Sequence, residues 1–183
     1  MRTLSDMTLE ELWQLFPIIL TPHQAQWSDW AVEEIESLQR TLSDFSPTIT
    51  HIGSTAIADI WAKPIIDLLV EVPLDADRLR LKATMERQGY ICMSSSAMRQ
   101  SFNKGYTPEG FAERVFHIHA RPIGDNDEIL FRDYLREHPS VARDYETLKL
   151  SLLPQYEHDR DGYTDAKSDF VRRVTELAKK AFC

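Results

Sequence analysis

At 183 residues, 43% apolar and 27% charged, the chain has the size and balance of one globular domain, able to bury a core without disulfides or metal. Its formal charge of −8 argues against a broad basic face for bulk nucleic acid or anionic membrane. No stretch approaches the ~20 apolar residues that span a bilayer, and the start MRTLSDMTLEELWQLF turns acidic before apolar, unlike a secretory signal. A cytoplasmic protein is expected, and Cys92 and Cys183 are too few for a disulfide framework and lack metal-ligand spacing.

Thr8-Leu-Glu-Glu11 reads as a capping box opening a first helix that stops near Pro17. Thr21-Pro22 predicts a longer helix with Trp27, Ala31, Ile35, Leu38 and Leu42 on one face, broken at Ser46-Pro47. Thr48 to Gly53 predicts a strand and Ser54 to Trp61 a short helix or turn. Ile65 to Val72 is apolar on both faces, as a central strand is. A helix over Asp75 to Gln88 ends at Gly89. Tyr90 to Met93, Arg99 to Lys104 and Arg114 to Ala120 are short strand candidates, the last two joined as a hairpin through Gly105 to Gly110. Helices follow at about 127–137, 140–153 and 163–181, separated by Pro139 and by Pro154 to Gly162. The pattern is α+β, a small mixed sheet with helices largely at one side.

Charge is distributed unevenly. Residues 1–50 hold two basic and eight acidic side chains, whereas residues 99–121 hold Arg99, Lys104, Arg114 and Arg121 against Glu109 and Glu113. A local cationic cluster on an acidic protein suits a small anion better than a polymer, although scattered solvated charge gives the same count.

Four constellations carry chemistry. Gly53-Ser54-Thr55 follows a strand, where a glycine admits close backbone approach and the hydroxyls add donors for a phosphate; the alternative is Ser54 as a helix cap. Asp67 lies among Ile65, Ile66, Leu68, Leu69 and Val70, where a carboxylate contributes to a Mg²⁺ site or is satisfied by a buried partner. Strand period puts His117, His119 and Arg121 on one face, as metal ligands, acid and base, phosphate donors or plain half-buried histidines, with His51 placed to join them. Tyr163, Lys167 and Phe170 share a helix face, from which Lys167 reaches a phosphate or runs along the surface into water.

HIGSTA at 51–56, AKPIIDLLVEV at 62–72, Gly89-Tyr90, His117-Ile-His119, FRDYLREHP at 131–139 and the Tyr163/Lys167/Phe170 helix together resemble the GrpB-like family of small bacterial proteins. That resemblance spans roughly residues 20 to 181 and implies a nucleotidyltransferase fold of the polymerase-β type. In that superfamily a Gly-Ser turn grips a triphosphate and paired carboxylates hold Mg²⁺. By resemblance Gly53 and Ser54 match the turn and Asp67 the first carboxylate. Leu69 stands in the second carboxylate's place, Glu71 is about 13 Å beyond Asp67 by strand rise, and His117 or His119 occupies the third acid's place.

The resulting expectation is a divergent nucleotidyltransferase-like protein that binds a nucleotide or other phosphorylated small molecule with Mg²⁺ or Mn²⁺ and transfers a nucleotidyl group. Asp67, His117 and His119 are its expected catalytic and metal-binding residues. Gly53, Ser54, Thr55, Lys63, Arg99, Lys104, Arg114 and Lys167 are expected to bind phosphate. One alternative is a non-catalytic module that binds a ligand or protein partner, since family members occur fused to dephospho-coenzyme A kinase or are described as accessory to its folding. Another is a single-metal hydrolase built on His51, Asp67, His117 and His119. No membrane partner is expected.

Overall fold

Alternation along two parallel strands decides what each face of the sheet holds. A computed structural model describes residues 3–182, so Cys183 lies outside the described residues. The elements are α1 (Leu9–Leu15), α2 (Gln26–Thr41), β1 (Thr48–Ile52), β2 (Ile66–Val72), α3 (Arg78–Arg87), β3 (Ile91–Ser95), β4 (Gln100–Thr107), β5 (Gly110–Pro122), α4 (Asp127–Glu137), α5 (Pro139–Tyr156) and α6 (Arg160–Phe182). The sheet runs β1-β2-β5-β4-β3. β2 and β5 are parallel, with Asp67 opposite His117 and Leu69 opposite His119; the other pairs are antiparallel. The mixed α+β sheet expected from the sequence is present, with β2 internal.

Even-numbered residues of β2 and β5, including Leu68, Val70, Phe116 and Ile118, join Phe102 and pack on Trp27 and Leu38 of α2 and Leu81 and Met85 of α3. Trp27, Phe102 and Ile118 are fully buried, each worth about 1.5–3 kcal/mol or more of transfer free energy. Odd-numbered Asp67, His117 and His119 are thereby directed to the opposite face, toward α5 and α6. Helices α4, α5 and α6 make their own cluster with Ile57 and Ile60 through Phe131, Leu135, Ala142, Tyr145 and Val174. Helices therefore cover both faces rather than one side.

Three boundaries differ from expectation, each for a local reason. Thr21 does not open α2. It exchanges backbone hydrogen bonds with Ala62 at 2.9 and 3.0 Å, holding the chain extended until Gln26. Pro154 does not end α5; it removes the donor to the Leu150 carbonyl, yet the helix continues two residues further to Tyr156. Asp159 then starts α6, accepting from the Gly162 amide at 2.9 Å through its side chain and from the Tyr163 amide at 3.0 Å through its carbonyl. The expected capping box does form at α1, with Thr8 and Glu11 each accepting from the other's amide.

The β4–β5 hairpin carries an irregularity between Lys104 and Tyr106. Gly105 has φ +92°, and a Cβ there would lie 2.3 Å from the Arg114 carbonyl oxygen. The irregularity shifts the alternation, so Lys104 lies on the α2 side beside Glu34 while Tyr106 meets His117.

Candidate functional site

A cavity of about 280 Å³ opens between the odd-numbered face of the sheet and helices α5 and α6. Its walls include Gly53, Ser54, Thr55, Lys63, Asp67, His117, His119, Tyr145, Lys149, Tyr163 and Lys167. Eight of the residues expected from sequence thus meet in one place. The volume lies near the lower end of ordinary ligand pockets. A groove of about 450 Å³ between α4 and α6 shares Thr164 and Lys167 with it.

The Gly-Ser turn is fixed from three sides. Gly53 has φ +74° and ψ −175°, and Ser54–Ala56 makes one 3₁₀ turn. Arg132 donates to the His51 carbonyl at 2.7 Å, and Arg136 donates twice to the Ala56 carbonyl at 2.9 and 2.7 Å. Ser54 makes no capping hydrogen bond; instead its hydroxyl accepts from Lys149 Nζ at 3.1 Å. Thr55 is 2% exposed, and its hydroxyl donates to the Ile65 carbonyl at 3.2 Å while meeting His51 Nε2 at 2.9 Å. Its proton is therefore committed to the fold. His51, opposite Leu68 in the antiparallel pair, does not join the cavity's histidines. Burial holds His51 down at about 4, against the opposing influence of Asp67.

Asp67 is enclosed by donors. His119 Nε2 lies 3.1 Å from Oδ1, and His117 Nδ1 lies 3.6 Å from the same oxygen. Burial by itself would raise this carboxyl. The His119 hydrogen bond, together with the electrostatic influence of the two imidazoles and Lys63, more than offsets it, holding the group down at about 2. Asp67 is thus ionised at neutral pH. On the far side of His117, Arg160 donates to the Tyr106 hydroxyl at 2.6 Å, and that hydroxyl lies 2.8 Å from His117 Nε2. This network assigns Tyr106 as donor to Nε2 and places the imidazole proton on Nδ1, facing Asp67. Burial lowers His117 to about 4, consistent with a neutral ring that orients the carboxylate.

Three lysines converge on the cavity, and among the described residues none of them has a carboxylate partner within ion-pair distance. Lys149 of α5 is 2% exposed; besides Ser54 it donates to the Trp61 carbonyl. Glu146, one turn earlier, accepts from the Trp61 amide at 2.6 Å, so α5 clamps both sides of this residue. Lys63 follows the Thr21–Ala62 bridge and lies 5.5 Å from the centre of the Tyr163 ring, with Lys167 at 4.4 Å. Burial and neighbouring cations depress Lys63 to about 7, with Lys167 the foremost neighbour. Burial, then Lys167, depress Lys149 to about 7, and burial depresses Lys167 to about 8.

Arg99, Lys104 and Arg114 lie outside this cavity. Arg99 makes a two-pronged pair with Asp125 at 2.7 and 2.6 Å. Lys104 pairs with Glu34 at 2.9 Å, and Arg114 pairs with Glu33 at 2.5 Å and stacks on Trp30. Both of the latter occupy the even face, directed at α2. Lys149 is the residue the sequence reading missed, and its only signal was apolar flanking by Leu148 and Leu150 on a helix.

The carboxylates do not make a metal pair. Leu69 is fully buried in the place where a second acid would stand. Glu71 accepts from the Gly124 amide at 2.9 Å and the Asn126 side chain at 3.1 Å, fastening the β5–α4 connection. Among the described residues no group of three or more His, Cys, Asp or Glu is arranged to hold a metal ion. His117 and His119 both turn directly onto Asp67 Oδ1, leaving one carboxylate and two imidazoles, which does not fit a hard divalent cation seeking oxygen donors.

Comparison with known proteins agrees with the fold. The profile of the family described as "GrpB protein" matches residues 17–177. A UPF0157 protein of Pseudomonas aeruginosa is 37% identical over 167 residues, covering 90% of this chain and 69% of that protein. The crystal structure of conserved protein GrpB from Enterococcus faecalis superposes with a TM-score of 0.74 at 31% identity, covering 90% of this chain and 99% of that one. A structure of the Cid1 poly(U) polymerase with MgGTP bound gives a TM-score of 0.51 at 11% identity over 70% of this chain and 42% of that one, which speaks to a shared nucleotidyltransferase-like fold alone. With most of its length matched by that profile, the chain belongs to the GrpB family.

Proposed function

We propose that this GrpB-family chain binds a phosphorylated small molecule, with nucleotides as the leading class, in the cavity between the Gly53-Ser54 turn and helices α5 and α6. The observation that carries the reading is the convergence of Lys63, Lys149 and Lys167 beside Ser54 in a protein of formal charge −8. Elsewhere Arg99, Lys104 and Arg114 are neutralised by acids, whereas these three are held half-buried or buried without one. Such an arrangement is unfavourable for the empty protein and favourable for an anion. Nucleotidyl transfer from that ligand would expel pyrophosphate, its charge met by the lysines, while Asp67, the carboxylate in the cavity wall, accepts a hydrogen bond that orients the attacking hydroxyl and the proton passes to solvent.

Isothermal titration with ATP, UTP and pyrophosphate tests the reading, and pH supplies its signature. The cationic lysines bind the anion, so affinity is expected to fall by at least about tenfold between about pH 6 and pH 9, through the titration of Lys63 and Lys149 at about 7 and Lys167 at about 8. A bound anion raises those values, so the complex takes up protons near pH 8. Titrations in buffers of different ionisation heat read that uptake directly. Affinity flat across the range, or proton release, contradicts the lysine site.

A second reading is supported by Leu69, fully buried where the second carboxylate would be. It holds that the chain binds its ligand without turning it over and serves as a partner module, with dephospho-coenzyme A kinase as the partner suggested by the family resemblance. Absence of turnover on every nucleotide that binds, together with a stoichiometric complex with that kinase by size-exclusion chromatography, distinguishes it.

A further inference from the structure

We infer that Lys63, Lys149 and Lys167 take the place of divalent metal at this site, so that the cavity binds a free dianionic or trianionic phosphate compound without Mg²⁺ or Mn²⁺. The inference rests on the anion-binding reading above and extends it to ligand class and metal dependence. With all three lysines protonated, the state that a bound anion favours, three ammonium groups meet the single carboxylate of Asp67 in the cavity wall, leaving about two positive charges for a ligand to balance. That surplus matches a phosphate monoester or a diphosphate end group.

The acidic side of the site is spoken for. Asp67 Oδ1 faces His119 at 3.1 Å and His117 at 3.6 Å, and its Oδ2 lies 2.7 Å from where a Cβ on Gly53 would stand. A hard cation that takes oxygen ligands would find one carboxylate, already enclosed, and two imidazoles. The donor side, by contrast, is rich in cations. Tyr163 is fully buried in the cavity wall, and among the described residues its hydroxyl has no hydrogen-bond partner. Lys63 and Lys167 lie against the Tyr163 ring, and Lys149 Nζ is already anchored at Ser54 and Trp61. A phosphate in this space would receive donors from protein alone.

The two alternatives predict opposite signs for one substitution. If lysines alone hold the anion, Asp67→Asn removes a repulsive charge and tightens binding of pyrophosphate by about tenfold. If Asp67 carries a metal that bridges to the ligand, the same change weakens it. Calorimetric titration with pyrophosphate and with ATP, each in EDTA and in MgCl₂, is expected to show wild-type binding in EDTA that Mg²⁺ does not tighten. Lys167→Met, at a half-buried helix position, should lose about tenfold equally in both buffers, and serves if Asp67→Asn does not fold. Binding that appears only with Mg²⁺ or Mn²⁺, or that Asp67→Asn weakens in the folded variant, overturns the inference while leaving the anion cavity standing. No binding of either probe by folded wild-type protein in any buffer overturns both.

Discussion

Replacing Gly53 with alanine is expected to destabilise the protein by about 3 kcal/mol and to lower its Tm by about 6–12 °C. Two effects add. The backbone at φ +74° and ψ −175° lies in a region that is essentially glycine-only. The new methyl would also stand 2.7 Å from Asp67 Oδ2 and 3.1 Å from its Cβ, and Asp67 cannot retreat without leaving His119 in the middle of β2. Gly89 provides the comparison. It also has positive φ, +83°, but nothing lies within 4 Å of its would-be Cβ, so Gly89→Ala should cost only about 1 kcal/mol. Thermal melts of the two variants side by side check this. Equal shifts would mean that Gly53 and Asp67 are not packed as described.

Lys149→Met is expected to weaken binding of pyrophosphate by about tenfold to a hundredfold while changing stability little. Methionine keeps the length and apolar stem of lysine but removes the buried ammonium. Two opposing terms then act on the empty protein. The Ser54 hydroxyl and Trp61 carbonyl lose a donor, a cost of about 1–3 kcal/mol for a buried acceptor left unpaired. Against that, the penalty for burying a charge, visible in the depression of Lys149 to about 7, disappears. Since Glu146 still holds the Trp61 amide, the turn keeps its place. A lysine retained only to clamp Trp61 would show the reverse: a lower Tm with unchanged affinity. Titration and melting of the same variant separate the two.

Sheet composition and the turn were legible in the sequence because short-range rules govern them. Apolar β2, the Gly53 turn and the Gly89 stop each follow from local preference, and period-two alternation places Asp67, His117 and His119 together. The same alternation, applied to Arg114 and Phe116, already puts Arg114 on the opposite face, where it meets Glu33. Its proximity in sequence to the histidines suggests a shared site, which that rule excludes. Lys104 shares that error, and the Gly105 irregularity makes it harder to see, because it changes which of Lys104 and Tyr106 looks toward His117. Lys149 was invisible for another reason. A lysine on an 18-residue helix reads as a solvated side chain, and only the docking of α5 on the 57–62 turn buries it. Pro154 misled in the opposite direction, since α5 absorbs the lost donor and continues only two residues past it.

Lys63, Lys149 and Lys167 are the proposed seat of a phosphate. A crystal structure of the protein with pyrophosphate, grown in EDTA, tests it most directly. A phosphate group is expected in the cavity with its oxygens in hydrogen-bond reach of the three Nζ atoms, and no cation on Asp67. Pyrophosphate that binds in solution but is found ordered away from these lysines would contradict it.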